Sequence, residues 1–216
     1  MLVPTQTTFI EQTYSLILDA ICDGQFEPGM RLNQDDLAER MRVSRQPIAQ
    51  ALSILKSQGF VREVGRRGLI VAPLEQDFFR SIYELREGID PMAARLAAER
   101  CTEDDIAEGR KLMAAGRDAV TSGAVHDLIA TDMQFHLWVY RLAGNPLLLE
   151  TMRLYWNHLR RAMSMVLRPE RSRHKVWDEH EAILEAIAAR DGRAAENCAT
   201  RHVKGTAEHI ANATFS

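Results

Sequence analysis

The chain has 216 residues, 46% of them apolar and 26% charged, with a formal net charge of -3. That composition excludes a collagen-like fibre, a disordered tail and a disulfide scaffold, and the length is comfortable for two domains. Three isolated cysteines without a CxxC pairing (Cys22, Cys101, Cys198) argue against a secreted disulfide framework or a thiolate zinc finger. No apolar run approaches the ~20 residues that span a bilayer, and Met1 to Thr5 show no export signal, so a cytoplasmic protein without a membrane partner is expected.

Ile10, Tyr14, Ile17, Leu18 and Ile21 recur at helical spacing and stop at Asp23-Gly24, predicting an amphipathic helix over about 8 to 22. After a Pro28-Gly29 turn, Asn33 has the character of an N-cap, with Asp35 and Asp36 in the first turn of a short helix through Met41. Ser44 stands at a second cap position. The helix it opens buries Ile48, Ala51, Leu52 and Leu55, ends at Gly59, and leaves Arg45, Gln46, Ala49, Gln50 and Ser53 on the opposite face. Two short helices joined by a tight turn make a helix-turn-helix, whose second member presents Arg45 and Gln46 where base edges are read: arginine suits guanine, glutamine suits adenine. Phe60 to Val64 and Leu69 to Val71 then alternate as strands around Gly65-Arg66-Arg67-Gly68, a hairpin tip suited to a minor groove or to phosphates. Charge follows the same plan. Residues 1–39 sum to -6, whereas residues 40–67, with Arg40, Arg42, Arg45, Lys56, Arg62, Arg66 and Arg67 against Glu63, sum to +6. Arg40, Ser44, Arg45, Gln46, Gln50, Arg66, Arg67 and Gly68 are the candidate DNA-contacting residues.

The string Phe26-Glu27-Pro28-Gly29 with Leu32, Leu37-Ala38, Val43-Ser44-Arg45, Pro47-Ile48, Ala51-Leu52, Leu55 and Gly59-Phe60-Val61 resembles the DNA-binding domain of the GntR family of bacterial transcription regulators. The family's recognition helix usually reads Ser-Arg-x-Pro-Val-Arg-Glu-Ala-Leu. Ala49 stands here for the second arginine, a DNA-contacting residue in the family, and Gln50 for the glutamate. A winged helix-turn-helix over 1–73 is the expected first domain.

From Leu74 onward six amphipathic segments follow, over about 76–100, 102–121, 124–143, 146–168, 172–190 and 192–211, so a C-terminal all-α antiparallel bundle is expected over 74–216. Thr102, Gly123, Asn145-Pro146 and Asp191-Gly192 supply the breaks. Four polar residues fall on faces that should be apolar. Asp132 and His136 lie one turn apart on a stripe with Leu128, Ile129 and Val139. His180 shares a stripe with Trp177, Ile183, Leu184 and Ile187, and His202 follows Cys198 and Ala199. Asp191 is 11 residues from each of His180 and His202, so an antiparallel hairpin sets both imidazoles at one height. A buried carboxylate needs a charged partner, and together the four residues suit one ion of zinc, nickel, iron or manganese. Arg86, between Ile82 and Ile89, either projects into the bundle as a carboxylate clamp or pairs with Asp90 one turn on. Asn157 and Arg160 are further pocket candidates.

Asp132-Met133-Gln134-Phe135-His136 with Ala143-Gly144-Asn145, His180-Glu181-Ala182-Ile183 with Ala186-Ile187 and Asp191, and His202 are similar to the FadR-type C-terminal ligand-binding domain, the FCD domain, in its six-helix VanR-like form. The resemblance implies that the Asp and three His hold a metal ion whose open positions take small organic acids. The expected function is a non-enzymatic DNA-binding regulator. It would be a homodimeric repressor on a pseudo-palindromic operator, controlled by a carboxylate metabolite. A metal-dependent hydrolase and a regulator that senses the ion itself are the competing readings.

Overall fold

A computed structural model describes residues 9–65, 68–166 and 170–214. The chain divides into two compact units, Met1–Leu74 and Glu75–Ser216.

The first unit holds α1 (Phe9–Cys22), α2 (Gln34–Met41), α3 (Arg45–Ser57), β1 (Val61–Val64) and β2 (Gly68–Val71). One face of each helix enters a common core of Ile17, Ile21, Leu37, Ile48, Leu52 and Leu55, closed by Phe60 and Val71 of the hairpin. Cutting a fully buried leucine such as Leu55 back to alanine costs roughly 2–5 kcal/mol, enough to threaten a domain this small. The Asn33 side chain accepts the Asp35 N–H at 2.9 Å and so caps α2. The turn to α3 runs through Arg42, a non-glycine residue at φ 54°. Ser44 occupies the N-cap position of α3, but its hydroxyl makes no capping hydrogen bond and stays exposed. The strands pair antiparallel, Val61 opposite Val71 and Val64 opposite Gly68. The segment around Arg31 adds an unexpected third rung: Leu32 donates its N–H to Leu69 and Val71 donates to Met30, both at 2.9 Å.

Six helices form the second unit: α4 (Gln76–Arg100), α5 (Glu103–Ser122), α6 (Val125–Leu142), α7 (Pro146–Val166), α8 (Glu170–Ala188) and α9 (Gly192–Thr214). Their ends follow local chemistry. Thr102 and Asp105 form a reciprocal capping box, Leu147 N–H is accepted by Asn145, and Ala194 N–H by Asp191. Helix α4 packs on α6, α8 and α9, and α5 bridges α6 and α8. Two glycines set the approach of α5. A Cβ on Gly109 would stand 2.6 Å from the Trp138 ring and 2.8 Å from Leu184, and one on Gly116 would overlap the ring of Trp177. Helix α8 therefore seats its indole flat on α5, and Trp177 in turn packs edge-on against His180, at 5.0 Å between ring centroids. Among the described residues no helix is long and apolar enough to cross a membrane.

Candidate functional site

Helix α3 of the first unit turns Pro47, Ile48, Ala51, Leu52 and Leu55 inward, which leaves Arg45, Gln46 and Gln50 on the exposed side beside Ser44. Arg45, at the first position of α3, makes an ion pair with Asp35 in the first turn of α2. The pair is exposed, so it is worth at most about 1 kcal/mol, but it puts a carboxylate beside the leading arginine of the face. Arg40 leans over the Phe26 ring at 5.8 Å. Lys56 is held by Glu63 of β1 at 2.6 Å. Gly68 is half-buried at the start of β2, and Arg66 and Arg67 lie outside the described residues.

In the second unit α6, α8 and α9 bring His136, His180 and His202 together, with one ring nitrogen of each within 4.8 Å of the others. All three imidazoles are buried, and Asp132, one turn before His136, is 6% exposed. The Asp132 carboxylate lies 3.5 Å from His180 Nε2, close enough for attraction, yet the two make no hydrogen bond. Both ring nitrogens of His180 and Oδ1 of Asp132 are buried without a hydrogen-bond partner. Such orphaned atoms are costly unless something charged meets them. Two neighbours hold ring orientation. Phe135 stacks on His180 at 4.3 Å, and Glu179 lies 3.0 Å from His202 Nδ1, leaving Nε2 of that ring for the cluster. A carboxylate behind an imidazole is the usual support of a metal-ligating histidine.

Burial, reinforced by Arg86 and the neighbouring imidazoles, pushes His136 well below the ordinary histidine range, and burial with His202 and Arg86 does the same to His180. Both are therefore neutral at pH 7, the form that ligates a cation. Burial raises Asp132 to about 6, against the opposing pull of His202 and Arg86. Three buried imidazoles beside one buried carboxylate, with His180 and Asp132 short of partners, fit a divalent transition ion.

Arg86 stands beside this cluster, its NH2 3.3 Å from His136 Nε2. The ion pair with Asp90 is formed: Nε and NH2 donate to one Asp90 oxygen at 3.0 and 2.8 Å. Tyr140 donates its hydroxyl to the other at 2.5 Å, and Arg86 NH1 donates to Tyr83 at 3.3 Å. Burial works against the guanidinium charge, but Asp90 and the two tyrosines outweigh it, so Arg86 stays protonated. Burial pushes Tyr83 up to about 12 and Tyr140 well above its usual value, so both remain hydroxyl donors. Asn157 and Arg160 are half-buried on α7, within the turn that follows Trp156. Trp156 packs edge-on against both His136, at 6.3 Å, and Tyr140, at 6.4 Å. Tyr140, Glu179 and Trp156 flank the site without being among the residues expected from the sequence. Tyr140 lies one turn beyond His136 on the same stripe, a signal that helical spacing offers, whereas Trp156 shares a face with Met152 and Leu159 and looks like core.

Residues 9–71 match the bacterial regulatory proteins of the gntR family, and residues 81–205 match the FCD domain. The Nta operon transcriptional regulator of Aminobacter aminovorans is 30% identical over 165 residues, 76% of this chain and 77% of that protein. The HTH-type transcriptional repressor RspR of Escherichia coli K12 is 25% identical over 207 residues, 96% and 90% of the two chains. Among solved structures, E. coli McbR superposes with a TM-score of 0.80 at 20% identity, covering 96% of this chain and 99% of that one. A transcriptional regulator from Rhodococcus sp. RHA1 gives 0.77 at 22% identity, covering 94% and 98%.

Proposed function

The chain belongs to the GntR family of bacterial transcription regulators, with an FCD domain as its second unit, and we propose that it is a homodimeric repressor released from its operator by a small carboxylate metabolite. In this reading Asp132, His136, His180 and His202 hold one divalent transition ion, and the metabolite binds beside it, its carboxylate drawn by Arg86. The observation that carries the proposal is the buried histidine cluster with its unpartnered Asp132 and His180 atoms. A bound ion supplies a Lewis-acidic position for an anionic oxygen. The chain's own groups do the rest: Glu179 orients His202, Phe135 and Trp177 fix the His180 ring, and the Asp90 and Tyr140 pair keeps Arg86 charged and aimed.

Two copies would set two α3 helices on the half-sites of a pseudo-palindrome, with Arg45, Gln46 and Gln50 toward base edges and Ser44 and Arg40 toward phosphates. The hairpin tip, with Arg66, Arg67 and Gly68, would take an adjoining groove. The relatives are transcription regulators, which leaves the hydrolase reading without support. A permanent cation 3.3 Å from His136 favours an anionic metabolite over the metal ion alone as the signal. Effector control follows only if the metabolite binds one dimer geometry more tightly than the other.

The test combines elemental analysis of protein purified without chelator, thermal shifts across a panel of small carboxylates, and operator binding by fluorescence anisotropy, for wild type and His180→Ala. One metal per chain in the wild type, lost in the variant, with a carboxylate that stabilises the metal-loaded form and weakens operator binding, is the expected result. Absence of metal and of any carboxylate response would overturn the site, and operator binding governed by metal alone would overturn the metabolite.

A further inference from the structure

The third rung of the hairpin sheet fixes the backbone on both sides of Arg31. Gly29 donates its N–H to Val71, Val71 donates to Met30 and Leu32 donates to Leu69, each at 2.9 Å, and Arg31 itself lies opposite Ile70. Side chains alternate along such a segment. Leu32 is 5% exposed in the core, and Arg31 points the other way, into solvent. Arg31 is also the one basic residue among the first 39, which carry seven acids. None of those acids holds it: among the described residues its guanidinium has no hydrogen-bond or ion-pair partner. Arg45, by contrast, is paired with Asp35 and Lys56 with Glu63.

The fold returns this isolated charge to the basic part of the unit. Arg31 and Arg45 line one surface cavity of about 670 Å³, together with Gln34 at the start of α2 and Gly68 at the start of β2. Glu63 is the acid in its wall, and Lys56 already holds that carboxylate at 2.6 Å. Two guanidiniums facing one cavity repel each other, and an anion between them relieves the repulsion. The cavity sits between the first residue of α3 and the strand that leaves the hairpin tip. With α3 in the major groove and the tip in the adjoining groove, what passes between them is the sugar-phosphate backbone that separates the two grooves.

We propose that Arg31 is a further DNA contact, donating to the backbone phosphate that lies between the groove read by α3 and the groove taken by the hairpin tip. A phosphate contact fixes register and adds affinity, and carries no base preference. The inference rests on the α3 and hairpin interface proposed above and adds to it a residue from a different segment. An arginine on an edge strand also discourages pairing with a second chain, but that role leaves DNA binding untouched.

The experiment measures fluorescence anisotropy of the full-length protein across a salt series with two duplexes, one selected from a random pool by the wild type and one of scrambled sequence. Wild type is compared with Arg31→Gln, Arg31→Lys and Arg45→Gln. Arg31→Gln should weaken both duplexes by a similar factor, about tenfold at low salt, and should flatten the slope of log affinity against log salt by about 0.9 for each chain bound. Arg31→Lys keeps the charge and should restore the slope, which a purely structural role for Arg31 would not move. Unchanged affinity and slope in Arg31→Gln overturn the inference, and so does a loss confined to the selected duplex, the mark of a base contact. A second measurement locates the phosphate. Replacing single phosphates of the selected duplex by neutral methylphosphonate should reveal one position in each half-site that costs the wild type about tenfold and costs Arg31→Gln nothing further. Absence of any such position also overturns it. Failure of the underlying interface reads differently: Arg45→Gln then leaves affinity and slope unchanged as well, and the two proposals fall together.

Discussion

Replacing Asp132 by asparagine should change stability in opposite directions in the metal-free and the metal-loaded protein. Burial lifts the Asp132 carboxyl from an ordinary 3.8 to about 6, and His202 and Arg86 offset only part of that effect. At about 1.4 kcal/mol for each pH unit, the ionised carboxylate costs the metal-free fold about 3 kcal/mol. The folded-state value lies above the unfolded one, so the wild type is free of this cost below pH 3.8 and bears it progressively as pH rises through about 6. Asp132→Asn should therefore stabilise the second unit by up to about 3 kcal/mol at pH 8 in chelator, and by almost nothing near pH 4. His136 and His180 titrate in both proteins, so the difference between them isolates Asp132. With metal the order should reverse. Wild type gains RT ln(1 + [M]/Kd) from the ion, and the variant, short of its anionic ligand, gains far less. Urea unfolding followed by circular dichroism, with and without chelator at the two pH values, reads all four cases. A variant less stable than wild type in chelator at pH 8, or one that metal stabilises as strongly as wild type, would refute the reasoning.

Glu179→Gln should leave the fold intact and weaken metal binding about 10- to 100-fold, measured by competition with a chromophoric chelator, because His202 loses its supporting carboxylate. Asp35→Asn removes a negative charge from the exposed face of α2 and α3 and frees Arg45. Operator affinity should rise by up to about fivefold at low salt, and an unchanged or weaker affinity would show that Asp35 positions Arg45 rather than competing for it. Gly116→Ala should destabilise the second unit by roughly 1–3 kcal/mol despite alanine's better helix propensity, since the new methyl meets the Trp177 ring. A variant as stable as wild type would mean that α5 and α8 separate cheaply.

Short-range chemistry was readable from the chain. The Thr102 cap, the Asn145-Pro146 start and the Asp191-Gly192 turn bring the observed ends of α5, α7 and α9 within a few residues of expectation, because capping is decided by neighbours in sequence. The meeting of His136, His180 and His202 was legible for a related reason: equal spacing from one turn sets two of them level, and helical period turns the third inward. What depends on partners distant in sequence was not. The pairing of Met30 and Leu32 with the second strand joins segments some 40 residues apart, and nothing local in Met30-Arg31-Leu32 marks it. Arg86 satisfied two patterns equally well from its own helix. The pair with Asp90 is formed, the same guanidinium also reaches His136, and Tyr140, 50 residues from Asp90, completes the network.

The contact of α5 with α8 has a consequence for how such chains can diverge. The Trp177 ring occupies the space that a side chain at 116 would need, and Trp138 with Leu184 occupies the space at 109. A side chain added at 116 alone prises two helices apart, and a smaller residue at 177 alone leaves a cavity. Sequences descended from a common ancestor with this bundle should therefore exchange residues at 116 and 177 in concert, bulk on one helix traded for bulk on the other. His180 lies one turn beyond Trp177, and its place among the imidazoles is inherited along with that exchange.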